Sequence, residues 1–249
     1  MSQSLRCMTA LFAALVFVSA TQAQTLSTPF RKTAVSYFET GAQQQWDEWE
    51  TPTPDAQDSD SEVNRDFGTW RSDLEFNNPD NYPSNPANIW TAASQDSWID
   101  EASGNFWCYG YALASIYVQG DAESDSESRF RFDVQLDNTG RVVLQGMIGV
   151  SNFFGSDQAH DTSGEAKVVV RVIDRSNNTN VYRKVVSMNA VSSARYIDEF
   201  EFDDLEVELS AGTYRVVINA FAYDEAIYDQ VNFSLANAFV ELEGWVEED

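Results

Sequence analysis

Trp107, Tyr109 and Tyr111 stand at every second position of GNFWCYGYALASIYV (104–118). In an extended strand they share one side with Leu113, Ser115 and Tyr117, while Phe106, Cys108, Gly110, Ala112, Ala114 and Ile116 share the other. Rings at this spacing can stack on the C–H faces of sugars while sugar hydroxyls reach polar neighbours. Each ring also buries roughly 150–250 Å² when covered. Three left open would exceed the apolar patch a monomer usually displays. Two readings follow. The row is covered by the tryptophan-rich N-terminal segment, which is the first expectation, or it is a carbohydrate platform. Truncating Trp107 separates them: about 3–5 kcal/mol is lost if the ring is buried, and about 0.5 kcal/mol or less if it is on the surface.

A second stretch, DAESDSES (121–128), places Asp121, Glu123, Asp125 and Glu127 at the same spacing. In an extended chain these carboxylates point one way and offer the oxygen donors that calcium takes. The EF-hand pattern is not matched, because its glycine is missing. The competing reading is a flexible, solvated acidic loop, since crowded carboxylates repel. DSDSE (58–62) repeats the pattern.

Other chemistry is poorly supplied. His160 is the only histidine and sits in the loop-like GSDQAHDTSG, so zinc and Ser-His-Asp sites lack material. No phosphate-binding glycine loop, nucleophile elbow or H-E-x-x-H occurs. Cys108 reads as a small buried hydrophobe. With 40 Asp and Glu, paired carboxylates carry no signal by themselves. A polysaccharide hydrolase or lyase using such a pair stays open as the alternative function.

Period-two strands must position these groups. In RFRFDVQLD, Phe130, Phe132, Val134 and Leu136 share a face opposite Arg129, Arg131, Asp133 and Gln135. DNTG (137–140) is a turn, so 129–149 reads as a hairpin. AKVVVRVID and NVYRKVVSM form a second pair about RSNN. The parity of DEFEFDDLEVELS changes at Asp203–Asp204, which predicts a bulge. TYRVVINAFAY and VNFSLANAFVELEGW complete an antiparallel set. Upstream, TPTPDAQDSDSE (51–62) and NNPDNYPSNPAN (77–88) read as loops. Trp46, Trp49, Trp70, Trp90 and Trp98 fall in this third of the chain, among short strands.

The N-terminus, MSQSLR followed by CMTALFAALVFVSA and TQAQ, has the charged start, apolar core and small-residue end of a signal peptide. Cleavage after Ala23 is expected, making the protein secreted, extracellular or periplasmic. The apolar run is too short to anchor in a membrane. Net charge is −25, and the leader carries away Arg6. So negative a field argues against nucleic acid and anionic membranes as partners.

SRFRFDVQLDNTGRVVLQGMI, DLEVELSAGTYRVVINAFAY and NFSLANAFVELEGW resemble an exported bacterial β-sandwich domain of the type found among PEP-CTERM-class proteins and their unanchored relatives. The similarity lies in the Leu-x-Ala-Gly-Thr-Tyr entry to an alanine-containing strand and in the closing aromatic strand. It spans roughly residues 88–245. The anchor motif of that class is missing from EGWVEED, so its sorting function is not implied.

The expected architecture is all-β: a jelly-roll-like antiparallel sandwich over 88–249, with an irregular aromatic-rich segment over 24–87 packed on it. The expected function is that of a non-catalytic acidic module in an envelope or extracellular matrix, with polysaccharide as partner and calcium as cofactor.

Overall fold

The computed structural model describes residues 24–39, 56–79, 88–118, 122–154, 162–189, 196–226 and 232–249. The leader, Trp46, Trp49, Asp121 and His160 lie outside them. The strands are β1 (Thr25–Glu39), β2 (Ala56–Asn64), β3 (Gly68–Pro79), β4 (Asn88–Ile99), β5 (Phe106–Val118) and β6 (Ala122–Leu136). They continue with β7 (Gly140–Phe154), β8 (Thr162–Asp174), β9 (Thr179–Asn189), β10 (Tyr196–Leu209), β11 (Gly212–Ala226) and β12 (Asn232–Glu248). Two antiparallel six-stranded sheets result, ordered β2-β1-β6-β11-β8-β9 and β10-β7-β12-β5-β4-β3.

The last eight strands form a jelly roll. One sheet carries β5-β12-β7-β10 and the other β6-β11-β8-β9. This is a long antiparallel ribbon, paired β5·β12, β6·β11, β7·β10 and β8·β9, rolled into two layers. The first four strands widen it: β1 and β2 extend from β6, and β4 and β3 extend from β5. Here the structure corrects the sequence reading. The described part of 24–87 is not an irregular layer on the sandwich but three strands hydrogen-bonded into both sheets. Residues 56–62, read as a loop, belong to edge strand β2, where exposed acids and serines face water. Their charge also discourages pairing with a second edge.

The alternation of β6 is as read, with Phe130, Phe132, Val134 and Leu136 fully buried. They meet Val142, Leu144, Ile148 and Val150 from the facing sheet. The 129–149 hairpin is corrected. Asp137–Thr139 carries the chain across the sandwich, and β6 and β7 lie in different sheets. A turn sequence predicts reversal, but not which sheet receives the next strand. The β8·β9 pair is as expected, and Asn178 takes a left-handed φ of 58° in its turn. The bulge in β10 is also present: register shifts between Phe202 and Leu205, with Asp204 at φ 47°. The Gly-Thr-Tyr strand entry has a local cause, since the Tyr214 hydroxyl donates to the Ser210 carbonyl at 2.9 Å and closes the preceding turn.

The interior is divided. Phe106, Phe130 and Phe132 pack with centroids 4.9–6.0 Å apart in the apolar part. Around β1, β4 and β6 the interior is polar. Arg31 is completely buried there, donating to Gly68 O (2.8 Å), Asn64 Oδ1 (2.7 Å), Ser97 O (3.4 Å) and Asp66 O. Thr33 and Ser72 share a hydrogen bond of 2.5 Å. Asp224 is also fully buried, and accepts from the Ser234 hydroxyl of the opposite sheet at 2.6 Å.

Candidate functional site

β5 runs in the middle of its sheet between β12 and β4. Its small face (Phe106, Cys108, Ala112, Ala114, Ile116) is buried against the other sheet. Trp107, Tyr109 and Tyr111 therefore lie on the outer face. Trp107 and Tyr111 are half-buried and Tyr109 is 41% exposed. The described N-terminal strands do not cover this row; β4 and β3 lie beside it.

Strand register builds the face in rows. Trp107 is aligned with Trp98 on β4 and Glu243 on β12. Tyr109 lies between Asp96 and Glu241, and Tyr111 between Ser94 and Phe239. Directly opposed residues in such a sheet are about 4.5–5.5 Å apart, and successive rows are about 7 Å apart. Phe239 is held down by Gly149 on β7: a Cβ at that glycine would sit 2.4 Å from the ring. Trp90, Phe153 and Ile197, respectively 38%, 37% and 55% exposed, belong to the same outer face. Burial raises the Tyr111 phenol to about 12, helped by Tyr109 and Glu75. It stays a neutral donor and acceptor, not a base.

The sequence reading singled out β5 but missed Trp98, Phe239 and the carboxylates beside them. The signal was present, since Trp90, Asp96 and Trp98 share one parity of β4 and Phe239, Glu241 and Glu243 share one parity of β12. What was missing was the knowledge that these strands flank β5.

The acidic stretch lies on the opposite side of the molecule. It is not a flexible loop but the start of β6, a central strand of the other sheet. Ser124, Ser126 and Ser128 face inward and are buried, which leaves Glu123, Asp125 and Glu127 on the outer face. Two adjoining depressions of about 500 and 470 Å³ run along β1 between β2 and β6. Small side chains, Ala34, Ser36, Ser59 and Ser61, form the floor, while Glu123, Asp125 and Phe221 contribute to the walls. Glu127 is neutralised by Lys32 at 3.1 Å and by Arg129. Burial, then the charge of Glu123, raises the Asp125 carboxyl. Burial also raises the neighbouring Tyr223 phenol, reinforced by its hydrogen bond with Glu225. Among the described residues, no three His, Cys, Asp or Glu side chains gather to hold a metal. Cys108 is buried, and desolvation pushes its thiol up to about 12, so it is no nucleophile. No helix among the described residues is long and apolar enough to cross a membrane.

No family model matches the chain, and no curated protein does. Among solved structures, a chain from "Structure of infectious bursal disease virus Gt strain" is similar over 90% of this chain. The identity is 10% and the TM-score 0.20, and the match spans 64% of that chain.

Proposed function

We propose that this protein is a secreted, non-catalytic acidic β-sandwich of an envelope or extracellular matrix, which contacts polysaccharide through the outer face of β4, β5 and β12. The observation carrying this reading is the aligned set of Trp98, Trp107, Tyr109, Tyr111 and Phe239 on one sheet face, with polar and acidic side chains between the rings. Flat rings accept the C–H faces of sugars, and the carboxylates accept their hydroxyls. The secretion part of the proposal rests on the leader at 1–23; mass spectrometry of the native protein is expected to find an N-terminus near Gln24, and intact Met1 on the secreted protein would overturn it.

Tyr109 provides the cleanest test because it is the most exposed of Trp107, Tyr109 and Tyr111. Tyr109→Ala is expected to leave stability within about 0.5 kcal/mol, as at other surface positions, while retardation in polysaccharide-containing native gels is lost. Unchanged retardation would remove the platform. Trp107 is a poorer probe: it is half-buried, so truncation also lowers stability, by about 1–2 kcal/mol, a fraction of the buried-ring value.

The alternative is a polysaccharide hydrolase acting from the groove beside β1. Its support is Asp125, a carboxyl raised by burial and by Glu123 in a depression of suitable size. A raised carboxyl keeps its proton to higher pH and can act as a general acid. Release of reducing ends that declines as pH rises and disappears in Asp125→Asn would establish this reading. Absence of release across a polysaccharide panel would eliminate it. Calcium at Glu123 and Asp125 is tested separately: melting temperatures in calcium and in chelator, at matched ionic strength, are expected to differ with calcium higher.

A further inference from the structure

We infer that the aromatic face is built for a cationic amino-sugar polymer, a glycan with free ammonium groups along its length. This inference rests on the polysaccharide reading above and specifies the chemistry of the ligand.

Charge on the face is one-sided. The row through Tyr109 reads Glu201, Met147, Glu241, Tyr109, Asp96, Arg71 from β10 to β3. In the next row Glu243 is aligned with the Trp107–Trp98 pair. Arg71 is the only cation in these rows, and Asp73 holds it at 3.0 Å. Arg71 also acts on Asp96, which it faces across β3 and β4. Among the described residues, Glu241 and Glu243 have no ion-pair partner, so two carboxylates stand unneutralised within one strand spacing of the Tyr109 and Trp107 rings. An anionic glycan is repelled by such a surface. A neutral glycan can donate its hydroxyls to these carboxylates but leaves their charge uncompensated. An ammonium beside each sugar ring meets a carboxylate while the ring stacks, and also gains from the negative faces of Trp and Tyr.

The shape selects a glycan over a basic polypeptide. Peptides usually dock as an added edge strand or in a groove. This surface is the flat middle of a sheet, with β12 and β4 on either side of β5. The two depressions described above open on the other sheet.

The test measures binding of soluble β-linked glucosamine oligomers by calorimetry with the full chain, at a pH where their amines are charged. Oligomers of equal length that are fully N-acetylated serve as the comparison. The deacetylated oligomer is expected to bind at least tenfold more tightly, with affinity falling as salt is raised. Asp96→Asn with Glu241→Gln is expected to erase most of that preference without moving the melting temperature. Asp58→Asn with Glu62→Gln, the same charge change on β2, is expected to leave it intact. Equal affinity for the two oligomers, or equal effects of the two double variants, overturns the inference while the polysaccharide reading stands. Tighter binding of poly-lysine through Asp96 and Glu241 overturns it in favour of a basic polypeptide. Failure of every glycan, charged or neutral, removes the polysaccharide reading as well.

Discussion

Replacing Arg31 with alanine is expected to destabilise the fold by on the order of 3–5 kcal/mol, through unpaired buried carbonyls and a cavity. That is a large part of the roughly 5–15 kcal/mol that holds a typical domain together. Arg31 extends from β1 of one sheet into the interior and binds the β2–β3 turn at Asn64, Asp66 and Gly68, as well as Ser97 O on β4 of the other sheet. One side chain thereby ties β1 of one sheet to the β2–β3 turn and to β4 of the other sheet. Burial lowers the guanidinium from its ordinary value, and Asp66 then Cys108 partly restore it. Arginine nevertheless stays charged in proteins, so the carbonyls meet a full cation. Lysine cannot replace this fork, because its donors radiate from one atom. Arg31→Lys should therefore lose more than half of what alanine loses. Urea denaturation of the two variants checks this. Losses below about 1 kcal/mol, the net value of an ordinary hydrogen bond, would show that water or neighbouring donors replace the guanidinium.

Asp224→Asn is expected to stabilise the protein at neutral pH, with the gain growing as pH rises. Burial raises the Asp224 carboxyl well above its ordinary 3.8, while the hydrogen bond from Ser234 acts in the other direction. Its inward neighbours are Ser124 on β6, Gly164 on β8 and Ser234 on β12, none of them titratable. Below pH 3.8 the carboxyl is protonated both folded and unfolded. Above that, the unfolded chain releases the proton and the folded chain keeps it. Stability then falls by about 1.4 kcal/mol per pH unit until the folded carboxyl also ionises. Asparagine has no proton to release. Denaturation of parent and variant from pH 4 to pH 8 should give curves that diverge upward in favour of the variant. The other carboxylates are common to both proteins and cancel in the difference. Parallel curves would mean that Asp224 ionises in the folded protein as it does in the unfolded chain.

Most of the strands were legible because half-buried strands declare themselves by alternation. Phe130, Phe132, Val134 and Leu136 could be read directly, as could the parity change at Asp203–Asp204. The acidic stretch of β6 was less legible because its inward residues are serines. Ser124, Ser126 and Ser128 resemble loop chemistry, yet they occupy the core side of a central strand where the interior is polar. Residues 58–62 misled for another reason: an edge strand with exposed side chains needs no hydrophobic face. At the candidate site, the spacing of Trp107, Tyr109 and Tyr111 was plain from the sequence. β4, which flanks them on one side, is the preceding strand, but β12 on the other side pairs with β5 across more than a hundred residues, and local patterning carries no such information.

The nested ribbon has a consequence for the order in which the chain folds. β8 and β9 are joined by a short turn and can meet first. β7·β10, β6·β11 and β5·β12 each enclose the pairs before them, so every later pair closes a longer loop. Loop-closure entropy rises only slowly with length. Topologies of such high contact order nevertheless fold in milliseconds to seconds, whereas helical bundles need microseconds to milliseconds. β1 to β4 leave the ribosome first, but their partners β6 and β5 are placed by β11 and β12. A nascent chain that stops short of β12 therefore holds β3 and β4 without a finished edge to join. β12 completes the sheet that these two early strands extend.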